Sequence, residues 1–295
     1  MLRALVVSFA MLVATPGIYA TDENPAASDS SNDVAQKQPT PRSNSAAGAT
    51  SSEDLAAENE LLEAANKSRE FAGVVSLRME DSLRDAARIH ALRMIANDRL
   101  DHQFAGEPGL LERIGQISPL RIDRVGENVA YASSASDVDA ALMHSAPHRE
   151  NLLDRGFNVA GIAAIWSDGK LYVVQDFAHD VPSYSARESR ALVGRAVAEM
   201  RRQAGLSELA LLTPAKLDEA TCSLARESRP KAHEIAVAYN NRRMITYTQS
   251  HPETIPPEAV RLVDDPDVRQ FAVGACYARN AAYPTGMYWV AILLY

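Results

Sequence analysis

Apolar residues recur at helical and strand spacings after residue 53, and they predict alternating helices and strands. A helix is predicted to begin at Leu55 and to end within 69–74, where Gly73 suits a left-handed C-terminal residue. Two later apolar runs, 159–166 and 171–177, flank Ser-Asp-Gly-Lys and predict a β-hairpin. Between these lies a second predicted helix, whose buried face has i, i+3/i+4 and i+7 spacing: Leu83, Ala86, Ala87, His90, Ala91 and Met94.

The same order of elements recurs in the C-terminal part of the chain. Arg201 and Gly205 stand 132 residues after Arg69 and Gly73, again at the end of a predicted helix. A second amphipathic face and a second pair of strands follow, at Leu217, Ala220, Thr221, Leu224 and Ala225 and at 271–278 and 287–294. Internal duplication is the simplest interpretation, and two unrelated α+β halves are the alternative.

The N-terminal segment predicts export. Arg3 precedes an uncharged apolar run from Ala4 to Ala14, and Ala20 is a small residue suited to cleavage. The run is too short for a membrane span, so a signal peptide is predicted over 1–20, with an uncleaved anchor helix as the alternative. Residues 21–52 have few large apolar side chains and predict a disordered tether. No membrane span is expected after cleavage, and the protein is expected to be secreted or periplasmic.

The remaining residues, 53–295, are enough for one large domain or two small ones, and the repeat places the domains at 53–180 and 186–295. The net charge of −8 argues against general nucleic-acid binding, which needs basic patches. The two cysteines, Cys222 and Cys276, predict one disulfide in an exported chain. Two buried free thiols are the alternative.

Five short motifs occur in order along the first half: Leu100-Asp101-His102, Arg113-Ile114, Gly126-Glu127-Asn128-Val129-Ala130, Ser145-x-x-His148-Arg149-x-Asn151-Leu152 and Val174-Gln175-Asp176-Phe177. Together they make the chain from Leu55 to Ala178 resemble the CAP superfamily of cysteine-rich secretory proteins, antigen 5 and plant pathogenesis-related proteins, also called SCP domains. The similarity is greatest to its short bacterial branch. The resemblance implies an α+β fold, an α-β-α sandwich with a cleft in which two histidines and one or two acidic residues face each other.

The resemblance places His102 and His148 as the facing histidines and Glu127 as the acid. Two neutral imidazoles can hold a divalent metal such as zinc, with positions open for water, and a carboxylate nearby can accept or relay a proton. Without metal, the carboxylate favours the protonated form of a neighbouring histidine. Leu142 stands where the family usually has Trp, and no second Glu is found, so the constellation is reduced to three residues.

The two site motifs are predicted to meet around a short helix. Gly-Glu-Asn is expected to open a strand, with Glu127 at its start. Pro147 disfavours a helical residue before it, so His144 is expected to end one helix and His148 to begin the next. His144 is therefore left out of the site, and Ser145 is expected to cap a helix rather than act as a nucleophile.

The other polar residues of this region are interpreted as structural. Asn128 and Asn151 are expected to bond backbone groups. Arg149 is expected to be structural or solvated, and His90 is expected to be a satisfied core histidine. The second half lacks both site motifs, and in their place 234–249 predicts a hairpin turning at Asn240-Asn241, followed by a Pro-rich link. The C-terminal half is thus predicted to be a degenerate CAP-like copy without the site.

Three functions are compatible with this sequence. The preferred one is a binding module whose cleft takes a divalent metal, a small apolar molecule or a peptide. A metal-dependent or acid–base hydrolase using the same residues is the second. A tethered scaffold that contacts cell-envelope components is the third. Whether the protein is an enzyme is left open by the sequence.

Overall fold

The computed structural model describes residues 5–9, 51–226, 235, 237–239 and 243–295. The predicted signal peptide lies outside these residues except for Leu5–Phe9, and its cleavage stays a prediction. The predicted tether also lies outside them, apart from residues 51 and 52. Within the described residues, no helix is both long and apolar enough to cross a membrane.

The helices and strands alternate along the chain. In order they are β1 (Leu5–Phe9), β2 (Ser52–Glu53), α1 (Leu55–Phe71), β3 (Arg78–Met79), α2 (Asp81–Asn97), α3 (Leu110–Ile117), β4 (Ile122–Ala132), α4 (Ala135–His144), α5 (Ala146–Leu153), β5 (Val159–Ser167), β6 (Lys170–Asp180), α6 (Ala186–Gln203), β7 (Ala210–Leu212), α7 (Leu217–Arg226), β8 (Arg243–Gln249), α8 (Pro257–Val263), β9 (Gln270–Asn280) and β10 (Tyr283–Leu294). They form two compact units. The first unit consists of 51–106 and 126–177, and the C-terminal unit takes the rest of the described chain, including 107–125. The predicted domain boundaries stay a prediction.

The central strand β5 shows why the first unit is a three-layer structure. Its side chains alternate between the two faces of the sheet, as strand geometry requires. Ile162 and Ala164 pack against α1, α4 and α5, whereas Ala163 and Ile165 pack against α2. Helices therefore cover both faces of a sheet with the strand order β2-β5-β6-β4. The predicted α+β class and α-β-α sandwich are confirmed.

The local sequence signals of the first unit are also confirmed. The buried residues of α2 are the six that the periodicity predicts. Gly73 adopts the left-handed conformation, with φ of 66°. Asp168 and Gly169 both have positive φ, 48° and 75°, as a two-residue turn between β5 and β6 needs.

The C-terminal unit repeats this layering with its own residues. Its sheet has the order β1-β8-β10-β9-β7. On β9, Phe271 and Val273 pack in the cluster that contains residues of α6 and α8, and Ala272 packs in the cluster that contains residues of α7. Both faces of this sheet are therefore covered as well.

Several contacts recur in both units at matching positions. The parallel pairing of Arg78 with Val159 is repeated by Ala210 with Gln270. A glycine in an inner strand of each sheet, β5 and β9, also lets a helix approach the sheet. A Cβ on Gly161 would lie 2.1 Å from the Leu83 carbonyl carbon, and a Cβ on Gly274 would lie 2.2 Å from Thr221 Oγ1. An internal duplication is the interpretation that we propose for these repeated contacts.

Two predictions for the middle of the second half are wrong. Ile235, Val237 and Ala238 are helical, so the segment 234–249 is not a hairpin, and only its second arm is a strand, β8. The predicted turn at Asn240-Asn241 lies outside the described residues. The Pro-rich link contains α8, because proline at the first helical positions removes only N–H groups that no helix bond needs.

Candidate functional site

The Gly-Glu-Asn motif lies inside β4, four residues after the strand begins at Ile122. The expectation that the motif opens a strand is therefore wrong, because the residues before it are already extended. Gly126 is required by a close approach, since a Cβ there would lie 2.8 Å from the ring of Phe157. Strand alternation directs Glu127 to the same side as Val129, which packs in the cluster that contains residues of α2.

His102 and Glu127 form the central contact of the site. His102 Nδ1 lies 2.8 Å from Glu127 Oε1, a hydrogen bond in which the ring nitrogen donates when the carboxylate is ionised. The Glu127 side chain is 3% exposed and that of His102 is 29% exposed. The left-handed residue Asp98, with φ of 44°, ends α2 and precedes the segment that carries His102. The pair thus joins a buried carboxylate to an imidazole that reaches solvent.

A second histidine lies beside Glu127 and was not assigned to the site from the sequence. His90 is fully buried on α2, with Nε2 2.8 Å from the carbonyl oxygen of Asp101 and 3.9 Å from Glu127 Oε2. A carbonyl oxygen only accepts, so Nε2 of His90 carries a proton. The expectation of a satisfied core histidine is confirmed. The sequence signal for its position near Glu127 is its place on the buried face of α2, which packs against the sheet that includes β4.

His148 lies in the first turn of α5, and its backbone is tied to the Gly-Glu-Asn motif. Asn128 is fully buried, and its Nδ2 donates to the carbonyl oxygen of His148 at 3.1 Å and to Gln175 Oε1 at 3.2 Å. Asn151 Nδ2 donates to Asn128 Oδ1 and to the carbonyl oxygen of Glu127, both at 3.0 Å. The expected backbone-bonding role of both asparagines is confirmed. Convergence of the His148 ring on Glu127 stays a prediction.

Helices α4 and α5 meet at Ser145, as Pro147 predicts. Ser145 precedes α5 at its N-cap position, although its side chain makes no capping hydrogen bond. His144 ends α4 and bonds the carbonyl oxygen of Ala140 in its own helix at 2.6 Å. Arg149 donates to a backbone carbonyl of α4 at 3.0 Å. These contacts leave His144 and Arg149 in the structural roles expected for them.

An exposed aromatic side chain lies farther along β4. Tyr131 is exposed and follows Glu127 on the same side of β4, and its ring centroid lies 5.5 Å from that of Tyr172. Lys170 Nζ lies 4.8 Å from the Tyr131 ring centroid, within cation–π distance. Leu142, which stands in place of the family's Trp, is buried in the core instead.

The described residues do not fit a three-ligand metal site. Zinc sites that leave a position open for substrate use three protein ligands. In the part of the chain that the structure describes, no group of three or more His, Cys, Asp or Glu side chains is arranged to hold a metal ion. His102 also directs Nδ1 at Glu127. The expectation that His102 and His148 bind zinc stays a prediction.

Cys222 and Cys276, the candidate disulfide pair, are joined in the structure. Cys222 lies in α7 and Cys276 in β9, so the bond connects a helix to the sheet that it covers. A depression of about 520 Å³ in the same C-terminal unit contains no predicted site residue and is lined by Pro119, Leu120, Arg121, Asp180, Val181, Pro182 and Ser183.

Comparison with known proteins agrees with the fold. Residues 62–177 match the family described as CAP: Cysteine-rich secretory protein family. No curated relative matches the sequence.

Several solved structures are similar. An outer surface protein from Borrelia burgdorferi is 18% identical with a TM-score of 0.43, and the match covers 45% of this chain and 100% of that protein. An extracellular protein containing a SCP domain from Bacillus anthracis is 22% identical with a TM-score of 0.38, covering 42% of this chain and 41% of that one. Na-ASP-1 is 9% identical with a TM-score of 0.45, covering 85% of this chain and 90% of its own.

Proposed function

Since residues 62–177 make this chain a member of the CAP family of cysteine-rich secretory proteins, we propose that it is an exported binding protein. Its ligand is a small apolar molecule or a peptide, held beside the His102–Glu127 pair. The observation that carries this proposal is the 2.8 Å bond from His102 Nδ1 to a Glu127 side chain that is only 3% exposed.

The geometry suits recognition of a polar group on an otherwise apolar ligand. Glu127 fixes the orientation of the His102 ring, and the ring remains accessible to solvent. Ligand sites in proteins combine apolar and aromatic walls with a few oriented polar groups. Tyr131 supplies an exposed aromatic surface on the same side of β4 as Glu127.

Export is supported by three independent features. The N-terminal twenty residues have the pattern of a signal peptide. The family is named for secretory proteins, and the Bacillus relative is described as extracellular. Disulfides such as Cys222–Cys276 persist in oxidising compartments. We therefore assign the protein to the secreted or periplasmic fraction.

The test measures ligands carried by the purified protein. Native mass spectrometry and lipid extraction of the wild type should detect a bound apolar molecule or peptide, and Glu127→Gln and His102→Ala should lose it. His144→Ala is the matched control, because His144 is exposed and its ring bonds a carbonyl oxygen of its own helix. Retention of the ligand by Glu127→Gln and His102→Ala alike would contradict the proposal.

The same experiment separates the two other functions. If the ligand is consumed and Glu127→Gln abolishes product formation, the pair acts in acid–base hydrolysis rather than in binding. If no ligand is carried and none in a panel of peptides and lipids binds, the scaffold function is favoured. Zinc content, measured on the wild type and on His102→Ala and His148→Ala, tests the metal expectation directly.

A further inference from the structure

The turn after α1 exposes a short apolar segment. Phe71-Ala72-Gly73-Val74-Val75, called the 71–75 tip below, contains no charged or polar side chain. Phe71 is 97% exposed and Val75 is 78% exposed, the two highest values among the exposed large apolar residues of the described chain. Isolated exposed apolar residues are common on protein surfaces, but five consecutive apolar residues on one convex turn are not.

Part of the backbone of the 71–75 tip is already hydrogen-bonded within the protein. The amides of Ala72, Gly73 and Val74 donate to carbonyl oxygens of the last turn of α1 at 3.1, 3.0 and 2.8 Å. The carbonyl oxygen of Val75 accepts from Nε of the buried Arg69 at 2.8 Å. Unpaired backbone groups are the main obstacle to moving a turn into an apolar environment. The bonds that are formed reduce that cost for this turn.

The C-terminal unit provides an internal comparison. Its equivalent turn, Gln203-Ala204-Gly205-Leu206-Ser207, has the same left-handed glycine, with φ of 71° against 66° for Gly73. Its amide and arginine hydrogen bonds also match, and Arg201 Nε donates to the carbonyl oxygen of Ser207 at 2.7 Å. Because Gln203 and Ser207 support the same backbone, Phe71 and Val75 are not required for the turn to fold.

Two exposed cations lie beside the 71–75 tip. Arg155 Nη2 donates to the carbonyl oxygen of Ala72 at 3.5 Å, and Lys67 is one turn earlier on α1. Glu70 is the one acidic residue in the last turn of the helix. Apolar side chains flanked by Lys and Arg are the combination that binds the surface of an anionic bilayer.

We propose that the 71–75 tip docks the exported protein onto an anionic lipid surface. Phe71 and Val75 enter the interface between headgroups and acyl chains, and Lys67 and Arg155 meet the headgroups. A lipid surface fits better than a protein partner, because a convex tip of two large side chains offers far less than the roughly 800 Å² per partner of a standard interface. The proposal depends on export but not on ligand binding at His102.

Vesicle co-sedimentation tests the docking. The full chain should bind phosphatidylcholine vesicles that contain phosphatidylglycerol. The double variant Phe71→Gln, Val75→Ser should lose at least about ten-fold in affinity for them. These replacements are the residues of the equivalent turn, so the variant should keep the wild-type unfolding midpoint. Arg155→Gln should weaken binding by about five-fold at low salt. Ile89→Gln and Leu92→Gln, two other exposed apolar positions, should bind as the wild type does.

A site-specific reporter distinguishes the tip from any contribution of the N-terminal leader. Phe71→Trp should show a blue-shifted emission with anionic vesicles and quenching by brominated lipid, whereas Gln203→Trp should show neither. His102→Ala should bind vesicles as the wild type does, so a failed ligand proposal leaves this one intact. An unshifted Trp emission at position 71, or equal binding by the Phe71→Gln, Val75→Ser variant, would overturn the proposal.

Discussion

Arg201 makes in the C-terminal unit the contacts that Arg69 makes in the first unit. Each Nε donates to a carbonyl six residues later, at 2.7 Å for Arg201 and 2.8 Å for Arg69. Each Nη1 donates to two backbone carbonyl oxygens at the C-terminal end of a short helix. Arg69 Nη1 bonds Leu152 and Asp154 at the end of α5, at 2.8 and 3.0 Å. Arg201 Nη1 bonds Val263 and Asp265 at the end of α8, at 2.7 and 3.1 Å. Both side chains are buried.

These arginines join the end of the first long helix of each unit to the chain that returns to the sheet. Burial lowers the pKa of Arg69, partly offset by the nearby Asp154. A buried guanidinium is tolerated only where its donors are bonded, and here carbonyl oxygens bond them. Shared burial, and a shared carbonyl partner six residues later, are what a duplicated domain would retain.

Replacing either arginine should destabilise the fold strongly. Arg69→Met and Arg201→Met each leave three or more backbone carbonyls without their donor, and we expect each to lose about 3 kcal/mol of unfolding free energy. Urea unfolding monitored by circular dichroism measures this loss.

Arg202→Met is the matched control, since Arg202 is exposed and adjacent to Arg201. It should change the midpoint little. Equal effects of Arg201→Met and Arg202→Met would show that the buried contacts contribute nothing specific.

Local periodicity was sufficient to predict most elements of this fold. The face of α2, the turn at Asp168-Gly169 and the left-handed Gly73 depend on residues close in sequence, which spacing reveals. Helix α8 is not predicted by the sequence, because Pro256 and Pro257 favour a link as well as the start of a helix.

The resemblance to the CAP superfamily, and not periodicity, predicted part of the candidate site. The motif order identified His102 and Glu127, which the structure places 2.8 Å apart. The proximity of His90 to Glu127 was not predicted, because it depends on how α2 lies on the sheet and not on any spacing along the chain. The two carbonyl partners of Arg201 Nη1, on Val263 and Asp265, are likewise set by tertiary packing.

The disulfide is expected to contribute substantially to the stability of the C-terminal unit. It closes a loop of 54 residues, for which chain entropy predicts about 4 kcal/mol. Cys222→Ser with Cys276→Ser, and the reduced wild type, should therefore unfold at a lower urea concentration. Mass measurement after alkylation without reductant should find no free thiol in the denatured protein, and two alkylated cysteines would contradict the bond.

Asn128 is expected to be the least replaceable amide near the site. Asn128→Ala removes the partner of the His148 carbonyl, of Gln175 Oε1 and of the Asn151 amide, all in a buried region. We expect a loss of about 2–3 kcal/mol, because buried polar groups would remain unpaired. Asn97→Ala is the control, since the Asn97 side chain bonds only an exposed carbonyl of its own helix. A chevron or urea titration in which both variants behave alike would contradict this role.

Asp139 and Asp137 on helix α4 should respond to pH in opposite directions. Burial, and to a lesser degree repulsion from Glu60, raises the pKa of Asp139. Hydrogen bonds from Ser133 and then Ser134 lower the pKa of Asp137. Where folding raises the pKa of a group, its contribution to the free energy of unfolding is fully present below the unfolded pKa. That contribution is lost as the pH rises through the folded pKa. Where folding lowers the pKa of a group, its contribution is present above the unfolded pKa and is lost as the pH falls through the folded pKa.

Asp139→Asn should therefore stabilise the protein at neutral pH, by less than about 1 kcal/mol because the group is only partly buried. The gain should disappear below the ordinary pKa of aspartate, where the wild-type carboxyl is protonated in both states. Glu60→Gln should give a smaller gain, since burial is the larger cause of the shift. Asp137→Asn should destabilise at neutral pH. Thermal unfolding midpoints, followed from neutral to acid pH, measure the stability change of all three variants. A lower midpoint for Asp139→Asn than for the wild type at neutral pH would contradict the direction of the pKa shift assigned to Asp139.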